Sequence, residues 1–77
     1  MNFLQALEIC RNDKYLWFRP IEWRVFKIAY VVEPRSDYSN EEIRLVPTSK
    51  GGRATFYASP AELLGDWEVV TPDDVLL

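Results

Sequence analysis

Few side chains in this sequence are equipped for chemistry, and the best-equipped set is Tyr15, Trp17, Arg19 and Trp23, with Lys50 and Arg53 further on. Aromatic faces beside guanidinium and ammonium groups stack on and pair with anionic rings, so such a set suits a nucleotide-derived ligand or the surface of a partner. Alternation along Lys14 to Arg19 puts Leu16 and Phe18 on one face of a strand and Tyr15, Trp17 and Arg19 on the other. If the first face packs on a core, the second is an outer stripe for an interface or a ligand. The alternative is a strand buried on both sides, with Arg19 reaching out past its own stem.

Other candidate motifs reduce to structure. Ser49-Lys50-Gly51-Gly52-Arg53 combines backbone amides with two cations, but it lacks the G-x-x-x-x-G-K spacing and following helix of a phosphate loop, and it reads as an ordinary turn. Glu41-Glu42 and Asp73-Asp74 are neighbours in sequence; on a strand such pairs face opposite ways, which makes them solvated charge rather than an acid–base couple. The chain has no His, so Ser/His/Asp and Cys/His catalytic sets and the usual zinc sites cannot be assembled. No catalytic residue, metal or cofactor is expected, and the chain reads as a non-enzyme. Cys10, the single cysteine, lies on the apolar side of a helical pattern and is expected to be a small buried hydrophobe rather than a reactive thiol.

The charge is unevenly distributed. Net charge is −3, and all nine bases fall between Arg11 and Arg53. From Ser59 onward there are five acids (Glu62, Asp66, Glu68, Asp73 and Asp74) and no base, a segment of −5 against +2 for residues 1–58. Glu62, Asp66, Asp73 and Asp74 are therefore candidates to face a basic partner, which opposite charge would steer into place.

These residues are positioned by elements that are partly legible. Asn2 and Gln5 form a capping box ahead of Phe3, Ala6, Leu7 and Cys10, whose spacing predicts an amphipathic helix over residues 3–11. A first strand is expected from Lys14 to Arg19 and a long central one from Trp23 to Val32, rich in β-branched residues. Glu33 to Asn40 reads as a surface loop, and Ile43 to Val46 and Ala54 to Ala58 as strands of a hairpin with Gly51-Gly52 at its tip. Ser59-Pro60-Ala61-Glu62 is a second capping box with Pro at the first helical position, so a short helix is expected at 60–64, stopped by Gly65 in a left-handed conformation. A last strand follows at Trp67 to Val70, with Trp67 buried against the first helix through Phe3 or Leu7. Thr71 to Leu77 is left as either a frayed or a docked end. The expected class is α+β: one domain over residues 1–77, with an N-terminal helix on an antiparallel sheet of four or five strands. At 77 residues with 48% hydrophobic content the core is small, so self-association as a dimer, through the Tyr15-Trp17-Arg19 stripe, is expected to supplement it. No apolar run approaches the roughly 20 residues that span a bilayer, and no leader pattern opens the chain, so the expected setting is cytoplasmic.

Three segments together resemble a known set of proteins: Asn2-Phe3-x-x-Ala6-Leu7 opening the first helix, Arg19-Pro20 followed by Trp23, and the closing Leu63-Leu64-Gly65-Asp66-Trp67-Glu68-Val69-Val70. The combination is similar to the Thoeris anti-defence 2-like family of short phage and prophage proteins. That resemblance implies a small, oligomeric α+β protein acting without catalysis in the cytoplasm of an infected bacterium to counter an immune system. Some members of the family sequester a cyclic ADP-ribose-type signal, and others inhibit CRISPR effectors. Two functions are therefore carried forward. The first is inhibition of a host defence protein or nuclease complex by docking, favoured by the acidic C-terminal segment. The second is a sponge for a cyclic nucleotide-derived signal, built on Arg19, Trp17 and Trp23 with Lys50 and Arg53.

Overall fold

The computed structural model describes residues 1–34, 41–46 and 58–76. Helix α1, Phe3–Asn12, begins where the local sequence dictates. Asn2 Oδ1 accepts the Gln5 N–H at 2.8 Å, and Gln5 Oε1 accepts the Asn2 N–H at 2.9 Å, so two of the free amides at the helix start are satisfied reciprocally. Its inner face is Ala6 and Cys10, both fully buried, flanked by Phe3 and Leu7. Asp13 ends it and turns the chain, accepting the Tyr15 N–H on Oδ1 at 3.0 Å while its carbonyl takes the Leu16 N–H at 3.1 Å. That turn delays the first strand.

Four strands follow: β1 Trp17–Pro20, β2 Ala29–Pro34, β3 Glu41–Val46 and β4 Trp67–Val70. They form one antiparallel sheet in the order β3-β2-β1-β4, so the fold is α+β with the N-terminal helix on the sheet. Directly opposed residues share a face. The pairs Phe18↔Tyr30, Phe18↔Val69, Pro20↔Trp67, Val32↔Ile43 and Tyr30↔Leu45 therefore line the side on which α1 packs. Trp67 is the hub there, 4.9 Å from the Phe3 ring, 5.8 Å from Phe18 and 6.0 Å from Tyr30 between centroids. Its burial against Phe3 is as expected. The opposite face carries the pairs Trp17↔Val70, Arg19↔Glu68 and Ala29↔Val46.

Three shorter elements complete the described chain: a 3₁₀ helix at Ile21–Val25, helix α2 at Pro60–Leu64 and helix α3 at Pro72–Leu76. The expected long strand from Trp23 to Val32 is thus corrected to a 3₁₀ turn and a strand that starts at Ala29. After pairing with β4, the chain must round a corner, and the Ile21 N–H still reaches Asp66 O at 3.1 Å while the Phe26 N–H closes back on Trp23 O at 2.9 Å. The Trp23 ring then lies 5.2 Å from that of Tyr30, tilted by 41°, and Val25 is left 82% exposed.

Helix α2 has the expected bounds and capping box, but Gly65 sits at φ −84° and ψ −165°, so the helix ends without a left-handed residue. The segment after β4 is docked: Val75 of α3 is buried over Ala29 and Val70, on the sheet face away from α1. The hairpin around Gly51-Gly52, most of the strand at 54–58 and residues 35–40 of the expected loop lie outside the described residues; Glu33 and Pro34 belong to β2. No helix among the described residues is long and apolar enough to cross a membrane.

Candidate functional site

Alternation does place Trp17 and Arg19 on the sheet face opposite α1, but that face is not free. Trp17 packs against Ala29, Val70 and Val75. Arg19 is only 7% exposed, and its Nε lies 2.8 Å from Glu68 Oε2 on the neighbouring strand. Glu68 Oε1 in turn takes Arg24 Nη2 at 3.0 Å, so one carboxylate is shared by two guanidiniums. Burial pushes the Glu68 carboxyl up, yet the bonds and charges of Arg24 and Arg19 outweigh it and hold the acid below its ordinary range. The free outer stripe is therefore corrected: Arg19 is clamped in a cross-strand ion pair, Trp17 lies under α3, and Tyr15 alone of the three stands out, 61% exposed. Trp23 is turned inward, donating its Nε1–H to Glu62 Oε2 at 2.9 Å. Lys50 and Arg53 lie outside the described residues.

The acidic residues divide by role. Glu62 has most of its bonding capacity spent inside the fold. Its Oε1 accepts the Ser59 N–H at 2.9 Å, Oε2 accepts Trp23, and its carbonyl accepts Trp67 Nε1–H at 2.8 Å. The Ser59 amide, against some burial and with help from the Ser59 hydroxyl and Trp23, holds the Glu62 carboxyl below the usual range, so it is a standing anion. Asp74 is a cap as well: Oδ2 accepts both the N–H and the hydroxyl of Thr71 at 3.0 Å, and these bonds, with the Arg19 charge a lesser contributor, hold its carboxyl low. Asp66 and Asp73 are exposed and make no ion pair among the described residues.

Two of the four expected partner-facing acids meet in one place. A cleft of about 250 Å³ runs between the 3₁₀ helix and α2, lined by Pro20, Ile21, Ala61 and Gly65 and by three acidic residues, Glu22, Glu62 and Asp66. Its walls are pinned by the Trp23–Glu62 and Ile21–Asp66 bonds, so it is built rather than incidental. Among the described residues no basic side chain lines it. The two walling elements also carry exposed apolar residues, Val25 and the adjoining Phe26 on one side, Leu63 and Leu64 on the other. Asp73 and Asp74 lie on α3, outside the cleft. Sequence reasoning missed Glu22, which stood in a Pro-Ile-Glu stretch legible only as a break between strands. The acid in the first turn of the 3₁₀ helix was the available signal.

Fold and site together define a small α+β protein with a pinned acidic cleft at one end of its sheet, and among the described residues no group of three or more His, Cys, Asp and Glu is placed to hold a metal ion. No family model, curated protein or solved structure matches the chain.

Proposed function

We propose that this chain is a non-catalytic binding protein that docks the end formed by the 3₁₀ helix and α2 on a basic surface of a partner protein. The observation that carries this reading is the meeting of Glu22, Asp66 and the internally bonded Glu62 at one cleft that, among the described residues, no cation lines. Exposed Val25, Phe26, Leu63 and Leu64 on the walling elements add apolar contact to the charge. An acidic hollow with apolar shoulders complements a Lys or Arg projecting between apolar neighbours, with charge speeding the encounter and burial of the shoulders slowing release. Taken with the resemblance to the Thoeris anti-defence 2-like family, the partner is a host defence protein, such as the basic nucleic-acid channel of a CRISPR effector, and the outcome is inhibition by occupancy. Sequestration of a cyclic ADP-ribose-type signal is the weaker reading, because Arg19, Trp17 and Trp23 already bond or pack within the chain.

The test is binding to purified defence effectors at several salt concentrations, beside calorimetry with cyclic ADP-ribose-type nucleotides. Capture that weakens with salt and falls by about tenfold or more in a Glu22→Lys, Asp66→Lys double variant, but not in Asp73→Lys, is the expected result. Tight nucleotide binding that is lost on Arg19→Ala overturns it in favour of the sponge.

A further inference from the structure

Helix α3 has little holding it to the molecule. It is five residues long, and Val75 is its buried residue, seated over Ala29 and Val70 with Trp17 alongside. Among the described residues the hydrogen bonds of Thr71 and Asp74 are local, and the charge of Arg19 adds only a lesser attraction on Asp74. Thr71 donates its N–H and hydroxyl to Asp74 Oδ2, and the Asp74 N–H returns to Thr71 Oγ1 at 3.3 Å and to Thr71 O at 3.1 Å. Such bonds travel with the segment when it lifts, so they do not oppose lifting. β4, immediately before it, is tied to β1 at every residue from Trp67 to Val70.

A helix this short does not persist alone, and burial of one valine stands against the ordering entropy of five residues. What it covers is the face the sequence marks as suited to recognition: Trp17, and beside it on the strands the Arg19–Glu68 pair with Arg24. We propose that α3 is a displaceable strap, held over the Trp17 face of the sheet by Val75, which lifts while the core stays folded and so controls exposure of Trp17, Ala29 and Val70. Docked, it occupies that face itself. The device is separate from the acidic cleft and does not depend on what the cleft binds. Opening of this kind is local rather than global, which hydrogen exchange distinguishes directly.

The experiment uses the full chain in solution NMR. The Asp74 and Val75 amides are expected to exchange at least roughly 100-fold faster than those of Tyr30 and Val32, and at a rate insensitive to low denaturant. Exchange of α3 with the denaturant dependence of the core overturns the strap. In a Val75→Arg variant, the Trp17 indole N–H resonance should move and exchange faster and the apolar dye ANS should bind, while the Trp23 and Trp67 indole resonances stay in place. A variant that fails to fold, or in which all three indoles shift together, makes α3 part of the core and refutes the proposal.

Discussion

At Glu62 one residue ties three elements together, the side chain bonding Ser59 and Trp23 while its carbonyl bonds Trp67. Glu62→Gln keeps the shape but turns an amide NH₂ toward one of the two donors, so it should lower stability by about 1 kcal/mol in denaturant titrations. Cys10 is the reverse case, a free thiol sealed in the core. Burial, with the charge of Asp13 adding to it, pushes its thiol up to about 11, and it is fully buried on the inner face of α1. It should therefore resist thiol reagents at pH 8 in the folded chain and react on unfolding, which timed labelling with and without denaturant reads directly. The sequence already supported both expectations at this scale. It placed Cys10 on an apolar helical face and Glu62 in a capping box, though the capture of the Trp23 indole by the same carboxylate was out of its reach.

Among the elements, β1 and β4 are joined by more than their ladder. The Arg19–Glu68 pair lies across the strands with side chains 8% and 19% exposed, and removing Arg19 leaves the Glu68 carboxylate to the exposed Arg24 alone. Arg19→Ala should cost about 1.5–3 kcal/mol, Arg24 still compensating Glu68, whereas the double change Arg19→Met with Glu68→Leu should come out nearer neutral, a contrast that a double-mutant cycle by thermal unfolding measures. Arg19 was singled out in the sequence as a binding residue because its type and alternation are those of an interface arginine. Those cues do not say what lies on the next strand, and Glu68 is 49 positions away. The α2–β4 junction gives a milder lesson. Gly65 has no left-handed conformation to protect, and a Cβ there would meet Ala61 O at 3.3 Å, so Gly65→Ala should change stability by less than about 1 kcal/mol, the entropy gained in the unfolded chain offsetting the tight contact.

For the molecule as a whole, the depressed carboxyls give stability a direction with pH. Glu62 and Glu68 both sit below their ordinary value of 4.5 in the fold. The stabilisation they confer is therefore complete above that value and is lost as pH falls through the lower, folded one. Thermal midpoints should be flat near neutrality and drop on acidification below about pH 5, and Glu62→Gln should flatten part of that drop. The chain by itself determined the pieces whose causes are local. The capping boxes at Asn2 and Ser59, the apolar stripe of α1 and the bounds of α2 and β4 each follow from interactions within about four residues, which any window of sequence contains. The α+β class followed from those pieces in order, and Glu62 and Asp66 could be marked, together with Asp73 and Asp74, as acids to face a partner. Only the tertiary structure decided that the central run turns a 3₁₀ corner, that Glu22 joins those acids, and that α3 lies over Trp17. Each of these rests on a contact between distant segments, such as Trp23 with Glu62 across 39 positions. Periodicity states which side chains share a face, whereas what covers that face is settled by long-range packing that competes with, and here overrode, local preference.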